Sequence, residues 1–373
     1  MMTLFEPMVI KGMELKNRFV RSATYDGYAD HKGRVTADQI RFFEELAAGG
    51  VGLIVTGIAY VHNSGQTSPI QNSVATDDCI PGLKKLSGAV HNLGAKIAIQ
   101  LFHAGREGAR FLNAGNLEAI GPSFVQDDPY FKRPYRAMTG EEISEVISAF
   151  GDGARRVREA GFDAVQVHGA HAYLLSQFLS PCLNRRDDQW GGSLENRLRL
   201  HREIVKDIRA KVGEDYPLLI KLGVQDGFPG GLEFREGALA ARSLAEWGVD
   251  AIEVSSGLRG QRYEGTEFRT KISRPEREAY FREWCKAIKG EVDVPVMMVG
   301  GLRTFALMEE VIERGEADFV SLCRPFIREP AIVNEWRKDT HYRPACISCN
   351  QCLDTVFQGN RVQCIQEAKG KKT

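Results

Sequence analysis

The segment VHGAHAYL, residues 167–174, holds three side chains that can exchange protons. His168 and His171 are three positions apart, and Tyr173 follows two positions later. Histidines can hydrogen-bond an oxygen that becomes negative during a reaction, and a tyrosine of ordinary pKa, about 10, is protonated at neutral pH and can donate a proton. Ordinary core packing is an alternative, and so is a zinc site, although no third ligand stands nearby in register.

Two polar residues interrupt apolar runs in which burial is expected. Gln100 lies within KIAIQLF and Lys221 within PLLIKLGV. A buried ammonium group is strongly unfavourable unless a negative group meets it. The partner is either an internal carboxylate such as Glu253 or an anionic ligand, and Gln100 would face the same cavity.

Two later segments resemble the turns that bind phosphate. VGGLRT contains Gly300 and Gly301, and SLCRPF contains Cys323 and Arg324. Bare backbone N–H groups beside a helix start are well suited to a phosphate. We predict a phosphorylated cofactor here, with a tight turn and a solvated arginine as the alternative.

Four of the eight cysteines crowd the last 30 residues. They are Cys346, Cys349, Cys352 and Cys364. Such closely spaced thiols can hold one zinc ion or a [4Fe–4S] cluster, and free or oxidised thiols are the alternative. The uneven distribution is untypical of a secreted disulfide framework and favours a reducing compartment.

The composition limits the choice of partners. Lysine plus arginine and aspartate plus glutamate both total 49, so neither nucleic acid nor an anionic membrane is expected to bind. No apolar run approaches the roughly 20 residues that span a bilayer. We expect a cytoplasmic protein, and a chain of this size is compatible with a homo-oligomer.

Eight short apolar runs alternate with amphipathic segments of helical length, a pattern typical of parallel strands covered by helices. The runs are RFVRSA, VGLIVTG, KIAIQLF, DAVQVHG, PLLIKLGV, DAIEVSS, PVMMVGG and ADFVSLC. They predict an α/β fold, a (β/α)8 TIM barrel over residues 1–335 with a short Cys-rich extension over 336–373. A doubly wound open sheet is less favoured because no G-x-G-x-x-G follows the first run. Active sites of such barrels lie at the carboxyl ends of the strands, and the long segment 103–140 is expected to cover that mouth.

Several motifs together resemble the old yellow enzyme family of flavin-dependent oxidoreductases. They are LKNRFVRSAT, IQLFHAGR, VQVHGAHAYLLSQFLSPCLNRRDDQWGGSLENRLRL, VGGLRT and CRPFIREP, in the expected order between about residues 4 and 335. The branch they are most similar to is that of NADH:flavin oxidoreductases related to the barrel of 2,4-dienoyl-CoA reductase.

The resemblance implies FMN at the barrel mouth. Gly300, Gly301, Cys323 and Arg324 would hold its phosphate. Backbone at Ala23 and Thr24 would line the isoalloxazine edge. Gln100 would bond the pyrimidine ring, and Lys221 would lie near N1 and O2, where negative charge develops on reduction.

The resemblance also implies the reaction. NADH or NADPH would reduce the flavin, which would then reduce an activated C=C bond of an α,β-unsaturated carbonyl compound in a ping-pong cycle. His168 and His171 would bind the carbonyl oxygen, and Tyr173 would protonate the α-carbon. Tyr25 stands where relatives carry a cysteine, threonine or histidine beside the flavin, so its bulky phenol would either alter the flavin potential or narrow the substrate pocket.

Two other functions remain open. An iron–sulfur dienoyl- or enoate-reductase-like enzyme would relay electrons through the four cysteines, although similar relatives separate the second and third by three residues rather than two. A flavin-free, phosphate-binding barrel lyase would use Lys221 as a Schiff base.

Overall fold

The computed structural model describes residues 3–115, 117–126, 128, 131–259, 267–272 and 274–370. Each predicted run forms one parallel strand: β1 Phe19–Arg21, β2 Leu53–Tyr60, β3 Lys96–Phe102, β4 Ala164–Gly169, β5 Leu218–Gly223, β6 Ala251–Ser255, β7 Val296–Val299 and β8 Phe319–Leu322. Neighbours in this order pair in parallel, and β8 pairs with β1, which closes the sheet. The predicted (β/α)8 TIM barrel is confirmed.

Helices surround the strands, and short strands lie outside the barrel. The α-helices are Ala37–Ala48, Ile80–His91, Ala109–Leu112, Gly140–Glu159, Leu174–Leu179, Leu194–Val212, Phe234–Glu246, Arg282–Lys289, Phe305–Glu313, Arg324–Arg328, Ile332–Lys338, Gln351–Phe357 and Ile365–Gly370. The remaining strands are Met8–Ile10, Met13–Leu15, Asn72–Ser73, Ile120–Gly121 and Arg136–Ala137. None of the described helices is both long and apolar enough to cross a membrane.

The barrel interior is layered because alternate residues of a strand point inward. A small apolar cluster that includes Ala98, Ala164, Leu219 and Ala251 fills one layer. The residues two positions further along these strands are polar, and they form the layer nearer the carboxyl ends.

The antiparallel hairpin Met8–Ile10 with Met13–Leu15 packs against the same inner cluster. Its residues Ile10, Met13 and Leu15 are buried. The hairpin therefore closes the floor of the barrel, and the sequence interpretation did not foresee it.

The predicted division at residue 335 falls inside the helix Ile332–Lys338. Trp336 is fully buried and stacks on Phe19 of β1, with ring centroids 5.5 Å apart. The following segment also returns to the barrel, since the backbone N–H of Val362 donates to the carbonyl of Asp26 at 2.8 Å. The division into two domains stays a prediction.

The long segment 103–140 is only partly described, since residues 116, 127, 129 and 130 lie outside the described ranges. Its described parts are held by the pairing of Ile120–Gly121 with Arg136–Ala137 and by a buried ion pair between Arg106 and Asp128. Several of its side chains line the cavity described below, consistent with a segment that covers the mouth.

Candidate active site

The end of β4 forms a corner in which the three side chains singled out first come together. The ring centroid of His168 lies 5.0 Å from that of His171 and 5.0 Å from that of Tyr173. Phe102, at the end of β3, packs edge-on against Tyr173 with centroids 4.5 Å apart. The adjacent strand ends therefore assemble the cluster that the sequence spacing predicted.

The backbone of this corner is strained. His171 and Ala172 both adopt left-handed conformations, with φ of 61° and 65°. Such conformations cost non-glycine residues roughly 1–3 kcal/mol each and persist where surrounding contacts impose them. Here the buried Gln177 amide donates to the carbonyls of Ala172 at 2.7 Å and Ala104 at 3.0 Å. Gln177 thus fixes the turn that aims His171.

The surroundings of both histidines favour the neutral imidazole. Burial, and secondarily the other positive groups nearby, holds the pKa of His168 and of His171 well below the usual value of 6.5. The backbone N–H of Ala170 donates to Nδ1 of His168 at 3.3 Å, so the imidazole of His168 carries its proton on Nε2. Nε2 of His171 lies 2.7 Å from the hydroxyl of Ser255 at the end of β6.

Tyr173 is a neutral phenol in this environment. Burial raises its pKa above the usual value of 10, while the nearby Arg259 acts in the opposite direction. A protonated tyrosine within reach of a cavity can act as a general acid.

The polar layer of the barrel forms a chain of contacts across four strands. The Gln100 amide donates to Oε1 of Gln166 at 2.7 Å, and the Gln166 amide donates to Oε2 of Glu253 at 3.0 Å. Nζ of Lys221 lies 3.2 Å from the same carboxylate oxygen and donates to the hydroxyl of Ser22 at 2.7 Å. The parallel register places Lys221 directly beside Glu253.

This arrangement corrects one step of the sequence argument. Of the two partners considered for Lys221, the internal carboxylate Glu253 is the one present, so the burial of the lysine does not by itself require an anionic ligand. Lys221 nevertheless lines the central cavity, where its charge remains available to a bound group.

The two glycine and arginine turns lie at the ends of β7 and β8. Gly300 and Gly301 have φ of 131° and 75°, and a Cβ atom at either position would lie 2.9 to 3.0 Å from the ring of Tyr280. Arg324 is not a solvated side chain, because its guanidinium donates to the carbonyl of Arg269 at 2.7 Å and to Oδ1 of Asn350 at 2.5 Å.

A cavity of about 670 Å³ opens at the carboxyl ends of the strands. All the residues predicted to bind cofactor or substrate line it: Ala23, Thr24, Tyr25, Gln100, His168, His171, Tyr173, Lys221, Gly300, Gly301, Cys323 and Arg324. Their juxtaposition is a finding, whereas their individual roles stay predictions.

The lining fits a flavin nucleotide. It combines bare glycine backbone and Arg324 on one side with the Gln100 and Lys221 side chains on the other. The buried hydroxyl of Ser321 on β8 also faces this cavity and has no hydrogen-bond partner among the described residues. A polar atom left in this state requires a partner from a bound molecule or water.

The four tail cysteines do not bear out the metal prediction. Within the described residues, no group of three or more His, Cys, Asp or Glu side chains is placed to hold a metal ion, so a zinc site at the histidines is not supported either. Burial raises the pKa of Cys346 and raises that of Cys352 to about 11. Of the four, only Cys352 lines the cavity.

Sequence reasoning missed an arginine–glutamate pair on the connection after β6. Nε of Arg259 lies 2.8 Å from Oε1 of Glu267, and both side chains line the cavity. Neither residue lies on a strand or in a recognisable motif. The run SSGLR following β6 was the available signal, because strand ends in this fold carry the site.

The fold and the site define a flavin-dependent oxidoreductase barrel. The chain belongs to the NADH:flavin oxidoreductase / NADH oxidase family, which it matches over residues 3–341. Members of this family are oxidoreductases that use FMN with NADH or NADPH. The resemblance to old yellow enzyme is thereby confirmed.

The relatives fall into two length classes. An NADPH dehydrogenase from Halalkalibacterium halodurans is 37% identical over 330 residues, which cover 88% of this chain and 91% of that protein. A protein named metal reductase from Desulforamulus reducens is 33% identical over 372 residues, covering 99% of this chain and 54% of the relative. A Thermoanaerobacter brockii NADH oxidase is 36% identical, covering 97% and 55% respectively. The chain thus spans about half the length of the latter two.

Solved structures give the same picture. A complex of 2-naphthoyl-CoA reductase with 2-naphthoyl-CoA superposes with a TM-score of 0.88 at 30% identity, over 97% of this chain and 56% of that chain. An old yellow enzyme homologue from Zymomonas mobilis superposes with a TM-score of 0.75 over 93% and 96%, and its 23% identity supports the fold alone.

Proposed function

We propose that the chain is an FMN-dependent ene-reductase. NADH or NADPH would supply the electrons, and the substrate would be an α,β-unsaturated carbonyl compound reduced at its C=C bond in a ping-pong cycle. The observation that carries the proposal is the corner at the end of β4, where two neutral histidines and a protonated tyrosine face one cavity.

The residues that line the cavity can each be assigned to one part of the proposed FMN cofactor. FMN would accept hydride from the nicotinamide and deliver it to the substrate. Gly300, Gly301, Cys323 and Arg324 would hold the phosphate, and backbone at Ala23 and Thr24 would line the ring edge. Gln100 and Lys221 would bond the pyrimidine end.

The corner residues would act on the substrate. Nε2–H of His168 would donate to the carbonyl oxygen together with His171, and these donors would stabilise the negative charge that develops there. Tyr173 would give its proton to the α-carbon. The Tyr25 phenol, which also lines the cavity, would limit the size of the substrate.

A spectroscopic experiment tests this proposal. The purified chain is expected to show the visible absorption of one bound FMN, to be bleached anaerobically by NADH or NADPH, and to regain its colour when 2-cyclohexenone is added. A colourless chain that also fails to bind added FMN would contradict the proposal. The proposal would also be contradicted if ferricyanide reoxidised the reduced flavin but no enone did.

The flavin-free lyase is disfavoured by a specific contact. A Schiff base requires an amine that is free to attack a carbonyl carbon, whereas Nζ of Lys221 lies 3.2 Å from the Glu253 carboxylate and donates to the Ser22 hydroxyl at 2.7 Å. Borohydride trapping of a carbonyl substrate on Lys221 would reverse this preference.

Chemical analysis of the purified chain distinguishes the iron–sulfur alternative from the ene-reductase. Iron and acid-labile sulfide in stoichiometric amounts beside FMN in the anaerobically purified chain would favour an electron-transfer reductase. FMN alone would favour the ene-reductase.

A further inference from the structure

We propose that Arg259 is a positioning residue that makes Tyr173 an effective proton donor. The inference rests on the proposed function, because it explains how the tyrosine of the corner would transfer its proton. Its basis is the contact between the two side chains within the cavity.

Arg259 is fixed beside the phenol from several sides. Its guanidinium carbon lies 6.0 Å from the ring centroid of Tyr173 and 4.9 Å from that of Phe268. Nε lies 2.8 Å from the Glu267 carboxylate, which also accepts a hydrogen bond from the Ser256 hydroxyl at 3.3 Å. The positive guanidinium therefore lies beside the Tyr173 ring, and its charge favours the ionised phenol and so acts to lower the pKa of Tyr173.

This contact answers a difficulty created by burial. When Tyr173 donates, its O–H bond breaks and a C–H bond forms at the α-carbon of the substrate, while the hydride supplied by the reduced cofactor provides the electron pair at the β-carbon. A phenolate remains until solvent reprotonates it. A buried anion without a partner is strongly unfavourable, and a hydrogen bond from a cation stabilises it.

The other charged groups around the phenol act against the arginine. Glu107 and Glu267 both raise the pKa of Tyr173, and Tyr25 is close enough for the two phenols to interact. His168, which packs against the ring, is neutral. Among the described groups that act on Tyr173, Arg259 is therefore the cation that favours the phenolate.

Transient kinetics provide the test. Arg259→Met is expected to slow reoxidation of the reduced flavin by 2-cyclohexenone roughly 10- to 100-fold, the effect of losing one hydrogen bond to a charged group. Arg259→Lys, which keeps the charge without the planar fork, is expected to recover part of the rate. Reduction by NADH or NADPH, and reoxidation by ferricyanide, which needs no proton on carbon, are expected to change less than twofold.

A double-mutant cycle separates this role from a structural one. In a Tyr173→Phe background, Arg259→Met is expected to have no further effect on enone reduction, because the group it acts through is gone. Equal and additive losses in both backgrounds would overturn the proposal, as would a parallel loss with ferricyanide.

A direct titration of the phenol at position 173 tests the inference without any substrate. Tyr173→3,5-difluorotyrosine, a more acidic phenol, brings ionisation into an accessible pH range that ultraviolet absorbance can follow. Adding Arg259→Met is expected to move this titration to higher pH, and an unchanged or lowered titration would overturn the pairing. A wild-type chain that binds FMN but reduces no enone contradicts the proposed function alone, since the titration still decides the role of Arg259.

Discussion

The corner at residues 167–174 and the cysteine tail at 346–364 are both short motifs rich in reactive side chains, but only the first lies at a strand end of the barrel. The corner follows β4, whose parallel register with β5 sets His168 beside Lys221. The cysteines precede or lie within short helices outside the barrel, and no strand register fixes their separation. A reactive motif is thus predictable as a site when the barrel positions each of its members.

Burial shifts the pKa values of the reactive side chains in both regions, but in opposite directions. Burial lowers the pKa of both histidines and so leaves them as neutral donors, the form their proposed role needs. Burial raises the pKa of Cys346 and of Cys352, which leaves these thiols protonated at neutral pH. The same physical cause, burial, therefore favours the uncharged form of the side chains in both regions.

The largest expected effect lies in the corner. Tyr173→Phe should slow flavin reoxidation by 2-cyclohexenone roughly 10²- to 10⁴-fold, the usual contribution of a general acid. Stopped-flow absorbance measures this rate, and reduction by NADH or NADPH serves as the control. Equal loss in both half-reactions would refute the proton-donor role.

The histidines should affect binding before chemistry. His168→Ala and His171→Ala are each expected to weaken binding of a non-ionising carbonyl ligand to the oxidised enzyme roughly fivefold to tenfold, through loss of one hydrogen bond. Perturbation of the flavin spectrum reports this binding. Tyr173→Phe, which leaves both donors, is the matched control, and an equal loss there would contradict the assignment.

The tail should act on the cofactor through Asn350 rather than through its thiols. Asn350 holds Arg324 and donates to the carbonyl of Phe268 at 2.6 Å. Asn350→Ala is expected to weaken FMN binding roughly threefold to tenfold by releasing the arginine. Fluorescence titration of the apoprotein with FMN and with riboflavin checks the cause, because only the phosphorylated ligand should lose affinity.

The thiols themselves should contribute least. Cys352→Ser is expected to change FMN affinity and enone turnover less than twofold, because the protonated thiol and the hydroxyl are both neutral. Steady-state assays with the variant and the wild type decide this. A loss above tenfold in NADH- or NADPH-linked turnover, with enone binding intact, would show that the tail carries electrons and would break the comparison.

The corner should also be insensitive to mild acid. The native histidines have lowered pKa values, so affinity for the carbonyl ligand should stay flat between pH 5 and pH 8. Histidines of the unfolded chain protonate near pH 6.5, so the free energy of unfolding should fall as the pH drops below that value. Chemical denaturation should show a smaller fall for the His168→Ala/His171→Ala double variant. Ligand binding that titrates near pH 6.5 would contradict neutral donors.

The sequence was sufficient to predict the eight strands and the residues at their carboxyl ends, because inward-facing polar residues are conspicuous in buried runs. It was not sufficient to decide whether the partner of Lys221 is Glu253 or an anionic ligand, because that choice depends on the register of β5 with β6. The hairpin Met8–Ile10 with Met13–Leu15 was not predicted because its strands are only three residues long, with Lys11 between them and Glu14 inside the second.

Arg259 was not predicted from the sequence, for a different reason. It lies on a connection, where no periodicity marks a side chain as inward-facing, and only the folded cavity relates it to Tyr173. Local patterns therefore predict which strand ends carry chemistry, whereas the partners that adjust that chemistry come from non-local packing.

The closure of the barrel by β1 and β8 has a consequence for biosynthesis. Lys221 and its partner Ser22 are 199 positions apart, and β8 begins only at Phe319. A nascent chain whose β8 segment has not yet left the ribosome lacks both the strand that carries Ser321 and the turn that carries Arg324. Flavin binding is therefore expected only after β8 has paired with β1, and the appearance of bound colour would mark the moment at which the ring of strands is complete.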